Sequence, residues 1–143
     1  MKLRKVPNGL TPAIYHSLRD KVRFQSYADY DVAEALKRTL YSVVIYDVDR
    51  PVGISRVVGD GKIVFFIKDV VVDPEYQRRG IGKLLMKDLM HYVNQAGCTN
   101  AYVGLMCTPG TENFYNEFGF IRRPTEDLGS GMVQFIHTRD DKK

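Results

Sequence analysis

The segment at residues 77–83 has the residue types that bind a phosphorylated ligand. It follows an apolar run, opens into a helical pattern, and reads Gln77-Arg78-Arg79-Gly80-Ile81-Gly82-Lys83. Its two glycines have no Cβ, so backbone amides can come close to a ligand, and the next helical turn offers N–H groups without intrahelical acceptors. Its three basic side chains would add charge-assisted hydrogen bonds to a phosphate or pyrophosphate. The alternative is that the glycines only permit a tight turn from strand to helix below a solvated basic surface.

Two other phosphate-binding loops do not fit this segment. A dinucleotide-binding fingerprint would need a third glycine where Leu85 stands, and it would follow the first strand of the fold rather than a late one. A P-loop would need glycine at Gln77 and a hydroxyl residue at Leu84. The segment is therefore neither of these loops.

The surrounding sequence predicts the helices and strands that would hold this segment. Thr11 followed by Pro12 is typical of a helix start, and apolar side chains recur at every fourth position after it. Four helices are predicted, of which the first begins at Pro12 and the second covers residues 30–40. The third covers residues 81–95, with Leu84, Leu85, Leu89 and Val93 pointing inward. The fourth follows Thr108-Pro109 and ends at Gly119. Runs of β-branched and aromatic residues between turn residues predict strands at residues 41–47, 52–58, 62–72, 101–107, 120–123 and 132–138.

The order of these elements predicts an α+β fold. The helix at residues 81–95 lies between two strands, and a strand–helix–strand crossover requires that these two strands be parallel. The short connections elsewhere predict antiparallel pairs. We therefore expect a mixed, mainly antiparallel central sheet of six to seven strands, flanked by about four helices, with one parallel pair.

Composition indicates one domain and excludes several classes of protein. The 143 residues, 44% hydrophobic and 27% charged, suffice for one core, so we expect a single domain over residues 1–143. A net charge of +4 is too small to indicate a nucleic-acid partner, and the longest nearly apolar run, residues 63–72, is too short to span a membrane. No apolar segment follows the basic start, so we expect a cytoplasmic protein. Cys98 and Cys107 lack metal-ligand spacing, so no metal site is predicted.

Two motifs in this order resemble hallmarks of the GNAT (general N-acetyltransferase) superfamily. Residues 77–82 match its pattern Q/R-x-x-G-x-G/A. A helix near the end of the chain is similar to the family's "fYeklGF" element, with Asn113-Phe114-Tyr115-Asn116-Glu117-Phe118-Gly119-Phe120. The element order agrees with the family fold from about residue 9 to residue 137, so the resemblance covers nearly the whole chain.

The resemblance implies acetyl-CoA as the cofactor and acetyl donor. Its pyrophosphate would lie on the amides of residues 78–83, and its pantetheine arm would pair with the strand at residues 70–72, where family members bulge. Tyr115 matches a tyrosine near the sulfur, and Thr108 stands where many members carry asparagine. The cofactor contacts implied in this way are Val70, Val71, Val72, Gln77, Arg78, Arg79, Gly80, Ile81, Gly82, Lys83, Thr108, Asn113 and Tyr115.

Acetyl transfer from a thioester to an amine determines what the site has to supply. The amine attacks only when neutral, and an alkyl amine with a pKa of ~10.4 is mostly protonated at neutral pH, so a base or a water chain has to remove a proton. A backbone N–H near Val71 is the candidate donor to the oxyanion of the tetrahedral intermediate. The leaving thiolate needs a proton or a hydrogen bond, and the phenol of Tyr115 would supply either. The alternative for Tyr115 is a core aromatic residue on its helix.

Asp69 is the nearest carboxylate to the expected reacting centre. The family's frequent glutamate on this strand falls on Phe66 in this sequence. Asp69 lies two residues before Val71, so both side chains point to the same face of the strand, and burial beside the acceptor would make Asp69 a stronger base. The alternative is an ionised carboxylate paired with Arg56 on the neighbouring strand, which would hold the sheet or the acceptor. The sequence leaves both roles open.

The acceptor is expected to be a primary amine of a small molecule or a peptide. Phe24 and Tyr27, in the connection between the first two helices, would form an apolar wall for it, and Arg56 and Asp69 would be polar contacts. The alternative for the aromatic pair is ordinary helix packing. A CoA-binding or regulatory module without catalysis is the competing function, and nucleic-acid binding through the basic residues ranks last, because one pyrophosphate accounts for them. A homodimer through the late strands is compatible with this fold.

Overall fold

A five-stranded sheet is the frame of the structure, which is a computed structural model describing residues 1–137. The strands, in their order across the sheet, are β1 Leu3–Pro7, β2 Tyr41–Asp47, β3 Arg50–Gly59, β4 Val64–Val72 and β5 Tyr102–Gly104. The helices are α1 Pro12–Lys21, α2 Asp29–Lys37, α3 Ile81–Ala96 and α4 Glu112–Asn116. The chain divides into two units after Met106, and the sheet with α1 to α3 makes up the first.

The predicted α+β class is confirmed. Strands β1 to β4 pair antiparallel, and β4 pairs parallel with β5 because α3 crosses from one to the other. The start of α1 is confirmed as well, since Thr11 caps it by accepting a hydrogen bond from the Ile14 amide at 3.2 Å. Strand β2 has the predicted bounds.

The strand count differs from the prediction of six to seven. Strand β1 was missed because it is an edge strand with the exposed charges of Arg4 and Lys5 and no alternating apolar pattern. Within residues 120–137 the predicted strands are wrong, because no described strand supplies hydrogen-bond partners to this exposed segment. Thr138, the end of the second predicted strand, lies outside the described residues.

The core of the first unit fills both faces of the sheet. On one face, Leu18 of α1 packs with Val44, Ile54 and Val71. On the other face, α3 buries a stripe of side chains at four-residue spacing, Ile81, Leu85, Leu89 and Val93. Leu84 was predicted to point inward but is 43% exposed, because it lies at the border of this stripe.

A glycine lets the start of α3 approach β3. A Cβ on Gly53 would lie 2.8 Å from Ile81 Cγ2 and 3.3 Å from Leu85 Cδ1. We expect Gly53→Ala to lower the free energy of unfolding by about 1–3 kcal/mol, because overpacking forces side chains or backbone to shift. Urea denaturation measures this loss, with Gly129→Ala as the control, since a Cβ on Gly129 meets no atom within 4 Å. Equal stability of the two variants would contradict the prediction.

The second unit contains α4 and an aromatic cluster. The helix was predicted to start after Thr108, but it starts at Glu112 with Thr111 as its N-cap. The Thr108 carbonyl accepts hydrogen bonds from the amide and the hydroxyl of Thr111, which forms a turn before the helix. Phe114 and Phe118 are half-buried, and their ring centroids lie 5.4 Å apart in an edge contact.

Candidate active site

Strand β4 carries a bulge in the segment where the resemblance implies one. Ile54 of β3 pairs with Val71, but Arg56 pairs with Lys68, so β4 has one residue more than β3 over this stretch. Asp69, at the bulge, has a φ of 58°, in the left-handed region. A bulge bends its strand and redirects the following backbone groups. The bulge therefore redirects the backbone at Asp69 and Val70, while Val71 and Val72 stay paired with Ile54 and Gly53 of β3.

Beside the bulge, one edge of β4 is open. Strand β5 pairs only with residues 64–66 of β4, and within residues 1–137 no strand pairs with the rest of β4 on that side. An open edge of a strand binds an extended amide-containing ligand through backbone hydrogen bonds. The bulge and the open edge together leave backbone groups of β4 for such a ligand.

The end of β4 leads through residues 73–80 to the N-terminus of α3. Gly80 is the N-cap of this helix, with a φ of 86°, and it has no side chain that could cap the first-turn amides. The first turn holds no acidic residue, so nothing neutralises the positive end of the helix dipole there. Gly82 and Lys83 lie in this turn, as predicted. The arrangement fits a phosphate or pyrophosphate group.

The loop before α3 is held against the end of β4. The side-chain amide of Gln77 donates to the Val72 carbonyl at 3.3 Å. The Arg79 guanidinium lies 5.2 Å from the centroid of the Tyr76 ring, whose hydroxyl donates to Asp47 at 2.7 Å. Arg78 and Arg79 are both exposed, so their charges can reach a ligand at the helix start.

A buried carboxylate at the end of β4 fastens this loop to α1 and β3. Asp73 is 1% exposed and accepts hydrogen bonds from Lys21 Nζ at 2.7 Å and Arg50 Nη2 at 2.9 Å. Its other oxygen accepts from the Glu75 amide at 3.0 Å. Burial alone would raise the pKa of Asp73, but these hydrogen bonds outweigh burial and hold its pKa below the ordinary value.

The lowered pKa of Asp73 predicts a contribution to stability that acid removes. The contribution is complete above the ordinary carboxyl pKa of 3.8 and is lost as the pH falls through the lower folded-state value. We expect Asp73→Asn to be less stable than the wild type at about pH 6, and the two to converge below about pH 4. Urea denaturation at several pH values measures the gap. A gap that stays constant down to about pH 2 would contradict the linkage.

Asp69 lies in a buried ion cluster. Its Oδ2 accepts from Arg56 Nε at 2.9 Å, and its Oδ1 lies 3.0 Å from Arg19 Nε. The Asp69 side chain is 2% exposed. The pairing with Arg56 matches one of the two roles that the sequence left open, that of an ionised carboxylate. Arg19 was missed, although its position four residues after Tyr15 on the buried side of α1 could have indicated it.

The predicted acceptor residues come together around Arg19. The Arg19 guanidinium carbon lies 5.4 Å from the Phe24 ring centroid, 5.1 Å from that of Tyr27 and 4.8 Å from that of Tyr15. Tyr27 is 46% exposed, so solvent reaches this side of the cluster. Phe24, Tyr27 and Asp69 thus contact the Arg19 side chain, and Arg56 joins them through Asp69; their role toward an acceptor stays a prediction.

Tyr115 lies in the second unit among aromatic rings. Its ring makes edge contacts with Phe114 at 5.0 Å and Phe120 at 6.2 Å between centroids. Burial raises the pKa of Tyr115 to about 12, and the nearby Cys107 thiol adds to the rise. The phenol is therefore protonated at neutral pH and has a proton to give. Thr108 and Asn113, also in this unit, are exposed.

The described residues form neither a metal-ion site nor a helix that could span a membrane. Among residues 1–137, no three His, Cys, Asp or Glu side chains are grouped so that they could hold a metal ion. In the same range, no helix has the length and apolar character needed to cross a membrane.

The sequence and the fold are similar to known acetyltransferases. Residues 11–120 match the sequence model of the Acetyltransferase (GNAT) family. GCN5-related N-acetyltransferase 1, chloroplastic, of Arabidopsis thaliana is 34% identical over 143 residues, which cover 99% of this chain and 70% of that protein. Serotonin N-acetyltransferase 2, chloroplastic, of Oryza sativa subsp. japonica is 33% identical over 108 residues, 70% of this chain but only 52% of that protein.

A solved structure shows the same architecture over nearly its full length. The crystal structure of a probable acetyltransferase from meticillin-resistant Staphylococcus aureus superposes with a TM-score of 0.85 at 30% identity. The match covers 94% of this chain and 99% of that one. The bulged strand, the glycine-capped α3 and these similarities lead to one conclusion: the chain belongs to the GNAT family of acetyltransferases.

Proposed function

We propose that the protein is an acetyl-CoA-dependent N-acetyltransferase that acts on a primary amine of a small molecule or a peptide. The observation that carries this proposal is the open, bulged edge of β4, which leads through residues 73–80 to the glycine-capped N-terminus of α3. A cofactor with an extended arm and a phosphorylated end matches an open strand edge that is followed by a helix N-terminus. One domain over residues 1–143 would carry both the donor and the acceptor sites.

The cofactor would lie along the open edge of β4, with its arm on that edge and its pyrophosphate on the N-terminus of α3. The amides from Arg78 to Lys83 would bind the pyrophosphate, with the basic side chains adding charge-assisted hydrogen bonds. The backbone of Val70 to Val72 would pair with the pantetheine arm. Thr108 and Asn113 would make further contacts, with a threonine hydroxyl replacing the asparagine amide of many family members.

The reaction would be a direct attack of the amine on the thioester. The amine nitrogen forms a bond to the acetyl carbon, and the backbone N–H near Val71 donates to the oxyanion. The carbon–sulfur bond then breaks, and the Tyr115 phenol gives the thiolate a hydrogen bond or a proton. A proton given in this way is restored to the phenol from the nitrogen of the intermediate, which loses its extra proton as the amide forms. Because each Asp69 oxygen already has an arginine beside it, the geometry favours Asp69 as a positioning residue, and a water chain would take the proton of the amine.

Titration calorimetry with acetyl-CoA tests the donor half of the proposal. We expect the wild type to bind acetyl-CoA and Gly80→Ala to bind it about tenfold more weakly, because a left-handed alanine costs about 1–2 kcal/mol and moves the amides of the loop. Gly80→Asn is the matched control, since asparagine tolerates this conformation better. Absence of heat with wild-type protein at tens of micromolar would overturn the proposal.

The names of the relatives bear on the choice of acceptors for a first screen and on the cellular compartment of the protein. The rice relative is named for serotonin, so arylalkylamines belong in the first acceptor screen. A cytoplasmic location stays a prediction, because the Arabidopsis and rice relatives are named chloroplastic. The proposal includes no nucleic-acid or membrane partner and leaves room for a homodimer.

A further inference from the structure

The ion cluster around Asp69 holds more positive than negative charge. Two guanidinium groups, those of Arg19 and Arg56, lie against one carboxylate. Arg19 is 6% exposed and the Arg56 side chain is 11% exposed. A buried cation is costly unless an anion or several hydrogen bonds compensate it. One of the two arginine charges therefore has no partner carboxylate in this cluster.

Within residues 1–137, the other contacts described for the two arginines are with a threonine hydroxyl and with aromatic rings. Arg56 Nη1 donates to the Thr39 hydroxyl at 3.2 Å. Burial, and then the charge of Asp69, raise the pKa of Tyr15 to about 12, so its phenol carries no charge at neutral pH. Among the described residues, Arg19 Nε has no hydrogen-bond partner, although it lies 3.0 Å from Asp69 Oδ1. The cluster thus has one positive charge more than its carboxylate balances.

We propose that the acceptor amine also carries a carboxylate, and that Arg19 and Arg56 bind it. This inference rests on the proposed function and specifies its substrate class as a free amino acid. A guanidinium fork matches the two oxygens of a carboxylate. Asp69 and Val71 both face α1, Asp69 through Arg19 and Val71 through Leu18, so a carboxylate held here would leave the α-amine on the side of β4 where the acetyl carbon is expected.

The geometry disfavours an acceptor that binds through its ammonium group. Both oxygens of Asp69 already lie within 3.0 Å of an arginine nitrogen, so an ammonium group would have to displace one of these ion pairs. The unbalanced positive charge would also repel it. Phe24 and Tyr27, whose rings face Arg19, would contact the apolar side chain of the amino acid.

Matched pairs of acceptors test the proposal. Each pair shares its side chain and differs in the carboxylate: tyrosine against tyramine, hydroxytryptophan against serotonin, and leucine against isopentylamine. Tyrosine methyl ester adds an acceptor that keeps ring and amine but lacks the negative charge. We expect kcat/KM to be about tenfold or more higher for the carboxylated member of at least one pair. If tyrosine and tyramine are that pair, kcat/KM should also be about tenfold or more higher for tyrosine than for its methyl ester.

A variant of Arg56 distinguishes carboxylate binding from a purely structural role of this arginine. Arg56→Gln is expected to lower kcat/KM for the carboxylated acceptor about tenfold while changing its partner amine far less, and Arg56→Lys should keep part of the preference. A structural role would lower both by the same factor. Lys68→Gln is the control, because Lys68 is exposed and pairs with Arg56 only through the backbone. Thermal unfolding of each variant verifies that it folds.

The outcomes distinguish this inference from the proposed function. Turnover that favours the simple amines, or that does not discriminate, would overturn the inference and leave the acetyltransferase proposal standing. Binding of acetyl-CoA with no turnover, and no binding of N-acetyltyrosine in the presence of CoA, would also overturn it. Failure to bind acetyl-CoA at all would instead overturn the proposed function.

Discussion

Replacing Tyr115 by phenylalanine is expected to lower kcat by about a hundredfold or more. The variant keeps the ring and its edge contacts with Phe114 and Phe120 but loses the proton that the thiolate needs. Because the pKa of Tyr115 is about 12, the wild-type phenol is protonated throughout the neutral range. Steady-state kinetics measure kcat, and calorimetry should show that acetyl-CoA affinity is nearly unchanged.

The control for this variant is Tyr30→Phe. Tyr30 is 74% exposed and should tolerate the loss of its hydroxyl without a change in kcat. Full turnover by Tyr115→Phe would remove the phenol from the mechanism and return Tyr115 to the role of a packed aromatic residue. A joint loss of kcat and cofactor affinity would show that its role is binding rather than proton transfer.

Replacing Asp69 by asparagine is expected to lower the free energy of unfolding by about 3–5 kcal/mol. The change leaves Arg19 and Arg56 buried without a counter-charge. Asparagine suits the backbone here, because it tolerates the left-handed conformation that Asp69 adopts with a φ of 58°. The loss measured by urea denaturation therefore reports the ion cluster rather than backbone strain.

The same variant separates the two roles that Asp69 could have. The exposed Asp31→Asn on α2 serves as the control and should leave stability nearly unchanged. If Asp69→Asn lost less than about 1 kcal/mol of stability but more than a hundredfold in kcat, Asp69 would be a base rather than a positioning residue. In that case the ion cluster would not be the structural element described above.

The sequence predicted correctly those elements that form because of residues next to them in the chain. The Thr11-Pro12 pair fixed the start of α1, and Gly97 follows the last turn of α3. The glycine-containing segment at residues 77–83 predicted the start of α3 correctly, because the helix start needs a left-handed backbone conformation at residue 80, which glycine adopts readily. The parallel pair followed from topology, since a crossover helix admits no other arrangement.

The features that sequence reasoning missed depend on distant partners. Strand β1 exists because β2 offers an edge, not because Leu3–Pro7 has an apolar pattern. Residues 132–137 have apolar side chains typical of a strand, yet no described strand pairs with them. Arg19 joins Asp69 across the interface of α1 and β4, fifty residues apart in the chain. Such contacts leave no periodic signal in one sequence.

The most direct test of acetyl transfer is to incubate the protein with acetyl-CoA and the acceptor panel, and to follow CoA release together with the mass of the product. An acetyltransferase should release CoA only with an acceptor present, in proportion to an amine that gains one acetyl group. Bound acetyl-CoA with no CoA release above background across amino acids, arylalkylamines, polyamines and peptides would contradict an enzyme and favour a CoA-binding module.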